Sequence, residues 1–177
     1  MKKKETYFFA ALLFIVLLLS RLLPHPDNFT ALAAVGLFGG SLFSKRPIGF
    51  LVPLAAVFFT DLYYGIYPGV AFTYLAIIAI VAIAPSLKGS FLKVGGSAVV
   101  GAALFFVISN FGVWLQTGLY EMSFAGLVDC YVRAIPFFRS TLASTMFYSF
   151  VFYGSYSLIA SEKEAKGFFS LVNGRQK

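Results

Sequence analysis

From Phe8 to Leu19 the chain reads FFAALLFIVLLL, inside an apolar stretch that covers residues 6–23. Crossing a ~30 Å hydrocarbon core takes about 20 mostly apolar residues, so this run alone has the makings of a membrane span. Five more runs follow, at residues 30–43, 48–66, 68–84, 94–116 and 136–160. In lipid, backbone polar groups must be satisfied within the segment, so runs of this kind fold as helices. The expected architecture is all-α: one integral membrane domain over residues 1–177 with six transmembrane helices. The second run is short, roughly 21 Å of helix, and has to be sheathed by its neighbours. Composition agrees. Only 12% of residues are charged, about half the share in soluble domains. A soluble globular enzyme is therefore excluded. The 22 Phe and 10 Tyr exclude a disordered chain.

Basic residues set the orientation, because Lys and Arg in short loops favour the cytoplasmic side. With six spans, one side receives Lys2, Lys3, Lys4, Lys45, Arg46, Lys88, Lys93, Lys163, Lys166, Arg175 and Lys177, and the other only Arg21, Arg133 and Arg139. Both termini are thus expected in the cytoplasm. The formal net charge of +7 follows from topology and anionic lipid, with no need for nucleic acid as a partner. A secretory leader is the competing reading of the first run. However, that run ends in SRLLPHP without a small-residue cleavage pattern, so it is read as a retained span.

The chemistry concentrates on the outer side. The first outer loop holds His25 and Asn28, and the second has Tyr63, Tyr64 and Tyr67. The third, residues 117–135, contains Glu121, Asp129, Cys130 and Arg133, with a stretch suited to a short interfacial helix. Arg21, Asp61 and Arg139 are ionisable groups near the outer ends of spans, where such groups are costly and usually face the bundle interior. Asn110 and Trp114 are four residues apart on the fifth span and share a helix face. Together these predict a polar, aromatic-lined cup open to the outside, the usual form of a small-molecule site. The candidate ligand-binding residues are Asp61, Asn110, Trp114, Arg133, Arg139, His25, Asn28 and Cys130. The arginines favour an anionic or carbonyl-rich ligand, and the rings favour stacking. Asp61 has a plainer alternative, an ion pair with Arg139 or Arg21 that ties helices together. Gly36 and Gly40, like Ser97 and Gly101, allow close helix packing.

One cysteine and one histidine exclude a tetrahedral Cys/His zinc site from a single chain. No H-E-x-x-H, G-x-S-x-G or P-loop pattern occurs, so no catalytic role and no cofactor are expected. An intramembrane enzyme using Asp61 and His25 as acid and base is the weakest reading.

The segment DNFTALAAVGLFGG, from Asp27 to Gly40, is followed by the basic pair Lys45-Arg46, then by GFLVPL at Gly49 and D-L-x-x-G at Asp61. This succession resembles the membrane-embedded S components of energy-coupling factor (ECF) vitamin transporters. The stretch CYVRAIPFFRSTL, from Cys130 to Leu142, with the Tyr/Phe-rich helix after it, looks closer still to an uncharacterised bacterial membrane family related to them. The resemblance implies a six-helix S-component-like bundle with both termini cytoplasmic and a ligand pocket on the outer side. It further implies partners: a transmembrane coupling protein and two cytoplasmic ATPases. S components often carry A-x-x-x-A on the first helix, whereas this chain has Ala10-Ala11 and then bulky residues. That departure fits a solitary S component of the cobalamin type, for which Cys130 is a candidate ligand contact. The expected function is binding and transport of a small micronutrient, a vitamin or precursor. The alternative is a structural or assembly protein of the cell envelope, which calls for a filled outer face.

Overall fold

The computed structural model describes residues 3–43, 46–87 and 91–159. Among them the elements are six α-helices and one 3-10 turn, with no strand. The helices are α1 (Lys3–Leu22), α2 (Leu32–Phe43), α3 (Ile48–Tyr64), α4 (Val70–Ile83), α5 (Phe91–Gln116) and α6 (Phe124–Ile159), and the turn is Ala84–Leu87. The fold class is all-helical, as the apolar runs require. Two helices, Lys4–Leu22 and Leu92–Gln116, are long and apolar enough to cross a membrane. Leu32–Phe43, Ile48–Tyr64 and Val70–Ile83 are apolar but shorter.

The organising element is α2. It touches every other α-helix, and all its residues but Leu42 are buried. A helix that is hydrophobic all round belongs in a core. Its glycines explain how tightly that core closes. A Cβ on Gly40 would lie 2.7 Å from the Val81 carbonyl oxygen and 2.8 Å from the Ala84 Cβ; one on Gly36 would lie 3.0 Å from Ile80. The G-x-x-x-G pair therefore packs α2 onto α4. Gly101 of α5 likewise admits Leu37, whose Cδ1 would stand 2.8 Å from an added Cβ.

Around α2 the other helices form a partial ring in the order α1, α3, α4, α5, α6. Ring contacts close it where Phe9 of α1 meets Tyr156 of α6 at 5.2 Å. Contacts fix the directions. Arg21 and Asp61 pair at the C-terminal ends of α1 and α3, and Gly36 and Gly40 meet the C-terminal half of α4. Gly69 at the start of α4 faces Gly112 near the end of α5. Helices α1, α3 and α5 run one way, and α2, α4 and α6 the other. The described basic residues Lys4, Arg46 and Lys93 are exposed at one end of the bundle. Lys2, Lys45, Lys88, Lys163, Lys166, Arg175 and Lys177 lie outside the described residues.

The sixth helix departs from the sequence reading. Residues 124–135 are not a loop with a separate short helix. They are the first three turns of α6, which runs for 36 residues. Ser123 starts it, its Oγ accepting the Gly126 N–H at 3.1 Å, the bond an N-cap makes. The Asp129–Arg133 pair, four residues apart, adds support along the surface. Pro136 lies inside the helix and removes one backbone bond there, at a position exposed on the helix surface.

Candidate functional site

A central helix of 12 residues cannot match the length of a neighbour of 26. At 1.5 Å per residue α2 reaches ~18 Å and α5 ~39 Å. The shortfall appears beyond the N-terminal end of α2 as a cavity of about 740 Å³, within the usual range for small-molecule sites. Leu32 and Ala33 form its floor. The α1–α2 loop contributes His25, Asn28 and Thr30, and the α3–α4 corner contributes Tyr64, Tyr67 and Thr73. Phe105, Ser109, Asn110 and Val113 of α5 face Cys130, Arg133, Ala134, Phe137, Thr141 and Thr145 of α6.

The loop residues are held in place by local bonds. Ser20 Oγ accepts the Ala31 N–H at 3.0 Å, fixing the entry to α2. Asn28 has φ 59°, a left-handed conformation that asparagine tolerates better than most residues. His25 Nδ1 sits 2.7 Å from the Pro26 carbonyl oxygen. A carbonyl only accepts, so Nδ1 carries the proton and Nε2 stays available. At the opposite corner the Gly69 N–H donates to Gln116 Oε1 at 2.9 Å, and the Tyr67 and Thr73 hydroxyls share a bond of 2.9 Å.

Electrostatically the cavity is one-sided. Arg21, Arg133 and His25 line it, and no carboxylate does among the lining residues. The Arg21 Nη2 donates to Asp61 Oδ1 at 2.7 Å, with the Arg21 side chain 15% exposed and that of Asp61 4%. The Tyr64 hydroxyl donates to the Arg21 carbonyl oxygen at 2.8 Å. Asp61 stands behind Arg21, against a separate recess lined by Phe58, Leu62 and Tyr74, and its Oδ2 is buried without a hydrogen-bond partner. Arg133 is an exposed arginine whose Nε donates to both Asp129 oxygens at 2.9 Å. That bond raises its guanidinium pKa above the ordinary value.

Burial pushes the Cys130 thiol up, with the Asp129 charge adding and the Trp114 backbone opposing. Its Sγ donates to the Asn110 carbonyl oxygen at 3.5 Å. The thiol form is thereby favoured over the thiolate that binds metals and attacks electrophiles. No group of three or more His, Cys, Asp or Glu side chains fit to hold a metal occurs among the described residues.

Of the eight candidate residues, the fold brings His25, Asn28, Asn110, Cys130 and Arg133 to the cavity wall. Asp61 is one residue removed, reaching the cavity through Arg21. Trp114 and Arg139 are not on the wall. The Trp114 indole donates to the Glu121 carbonyl oxygen at 3.0 Å and rests on Phe111 at 5.5 Å, so it anchors the α5–α6 connection. Arg139 is exposed and lies about 200° around α6 from Phe137, while Phe137 and Thr141 are on the wall. The sequence reading counted Tyr64 and Tyr67 among the outer-side rings without naming them as candidates, and it passed over Thr73, Ser109, Thr141 and Thr145. A usable signal existed for the α6 set, because positions 130, 134, 137, 141 and 145 recur at three and four residues.

Residues 1–166 match a protein-family profile described as a family of unknown function, DUF6580. The chain belongs to the DUF6580 family. No curated protein and no solved structure matches it. The DUF6580 match takes in all six helices nearly to its end, and with them every residue of the cavity wall.

Proposed function

We propose that this DUF6580 member is a six-span membrane protein, with both termini in the cytoplasm, that captures a small micronutrient at its outer face. The observation that carries this reading is the cavity. A hollow of about 740 Å³ whose wall carries the basic groups Arg21, Arg133 and His25 and, among the described residues, no carboxylate suits an anionic or carbonyl-rich molecule of vitamin size. Phe105, Phe137, Tyr64 and Tyr67 supply ring surfaces beside those charges. The 11-to-3 split of basic residues supports placing the cavity end outside. The exposed apolar side chains of α3, including Leu51, Phe58, Phe59 and Leu62, suit a lipid-facing surface in the bacterial inner membrane.

The resemblance to S components supplies the transport step. The loaded protein hands its ligand inward, either with a coupling protein and two ATPases or as a solitary carrier. The alternative, a structural envelope protein, calls for a filled outer face, and the hollow favours capture over it.

The test is thermal unfolding of the purified full chain against a panel of vitamins and carboxylate- or phosphate-bearing precursors, with native mass spectrometry of the same sample. One compound should stabilise strongly, since a ligand at a hundredfold excess over Kd contributes about 2.7 kcal/mol. Neutral analogues should do less. A chain stabilised by none of the panel and free of copurifying ligand overturns the reading.

A further inference from the structure

Thr141, Thr145, Ser149 and Tyr153 follow one another at intervals of four along α6. Each step advances about 6 Å and turns about 40° around the axis, so the set winds about 120° around α6 over about 18 Å. Thr141 is 7% exposed, Thr145 0% and Ser149 1%. The first two line the cavity. Tyr153, three turns beyond Thr141, meets the ring of Phe38 in α2, and Ser41 lies three residues further along α2. Ser41 Oγ in turn donates to the Ala84 carbonyl oxygen at 3.0 Å, where α4 ends. Hydroxyl groups therefore recur along α6 from the cavity into the core, with Ser41 of α2 beyond them.

The threonines satisfy themselves on their own helix. Thr141 Oγ1 donates to the Phe137 carbonyl oxygen at 3.0 Å, and Thr145 Oγ1 to that of Thr141 at 2.6 Å. Ser149 does not: its Oγ is buried with no hydrogen-bond partner. A buried hydroxyl of this kind has an unmet hydrogen-bonding demand that water or a polar solute group can fill. Beyond Ser149, Phe38 of α2 packs against α6. Its ring meets Tyr153 edge-on at 4.9 Å and Phe152 at 5.7 Å, and it is 2% exposed.

We propose that this hydroxyl column is the inward route of the solute held in the cavity, closed here by Phe38 and hydrated when α2 and α6 part. It rests on the transport reading above but makes a separate demand. Transport by movement of the whole bundle needs no polar atoms below the cavity floor, whereas a route along the α2–α6 seam needs them at each turn.

The single native cysteine makes the test direct. In a Cys130→Ala background of the full-length chain, Thr141→Cys, Thr145→Cys, Ser149→Cys and Tyr153→Cys are made one at a time. Phe147→Cys and Val151→Cys, at exposed positions on α6, serve as controls. Right-side-out membrane vesicles are treated with the impermeant reagent 2-sulfonatoethyl methanethiosulfonate. Thr141→Cys and Thr145→Cys should react fastest and Ser149→Cys slowly, with the controls silent. Adding Phe38→Ala should raise the Ser149→Cys rate by about tenfold, a one-decade shift toward the open state, and bring Tyr153→Cys into reach. Phe38→Leu repeats the test should the alanine variant fail to fold. Reaction at positions 141 and 145 with silence at 149 and 153 in every background overturns the column and leaves the cavity reading standing. Silence at all four overturns both. Equal reaction at all six positions overturns the column.

Discussion

Two arginine–aspartate pairs stand at the cavity, and they differ in nearly every respect that matters. Arg133–Asp129 is local, four residues apart on α6, with side chains 68% and 49% exposed. Arg21–Asp61 joins helices 40 residues apart, with side chains 15% and 4% exposed. The first sits in water, where an ion pair adds little to stability and salt screens it. The second binds α1 to α3 in the interior, where removing one partner leaves the other charged and uncompensated. Both guanidinium groups reach the same cavity wall. One arginine is therefore expected to serve binding alone, and the other binding and architecture together.

That division can be broken by experiment, beginning with the largest effect. Asp61→Ala should destabilise the protein by about 3–5 kcal/mol in thermal or denaturant unfolding, the cost of a broken buried pair. Asp129→Ala should leave the midpoint unchanged. Equal losses from the two variants would erase the distinction.

Ligand affinity comes next. Once a stabilising compound is found, Arg133→Gln should weaken its binding by about tenfold to a hundredfold, the contribution of a charged hydrogen bond, with unfolding unaffected. Arg21→Gln should lower affinity and stability together. A third measurement sharpens the contrast. In double-mutant cycles, the coupling of Arg133 to Asp129 should vanish as salt rises to 1 M, where the Debye length falls to about 3 Å. The coupling of Arg21 to Asp61 should persist.

The smallest effect concerns Cys130. Because burial raises its pKa, the folded thiol stays protonated at a pH where an unfolded thiol, near 8.5, ionises. Its contribution to stability is full below that pH and is lost as the pH rises from there through the raised folded value. Alkylation by iodoacetamide at pH 8 should accordingly run slower than for a free thiol, and unfolding should restore the rate.

The helices were legible because apolar runs are broken by Pro, Gly and basic residues. The one large departure was α6, where Pro136 read as a boundary and Asp129, Cys130 and Arg133 as loop chemistry. The helix continues because Ser123 caps it and Pro136 loses its bond on an exposed face. The site was partly legible for a related reason. Sequence indicates which end of a helix a residue occupies but not which way it points, since rotation about the axis is set by the neighbours. Asn110 and Trp114 lie near the same end of α5, and Arg133 and Arg139 near the same end of α6, yet only Asn110 and Arg133 line the hollow. The cavity itself had a sequence cause that was read only as a packing problem: the brevity of the second apolar run.

On the six-span reading proposed above, that brevity bears on how the protein is made. At ~18 Å, α2 cannot hold a position in a ~30 Å layer by itself, and Gly36, Gly39 and Gly40 leave it little side-chain surface to offer lipid. In a chain threaded into a bilayer helix by helix, α2 has to remain beside the insertion machinery until α3 and α4 emerge to receive it. The segment around which the finished molecule is arranged is thus the one that settles late, and substitutions at Gly36 or Gly40 should reduce yield during biosynthesis before they alter anything the mature protein does.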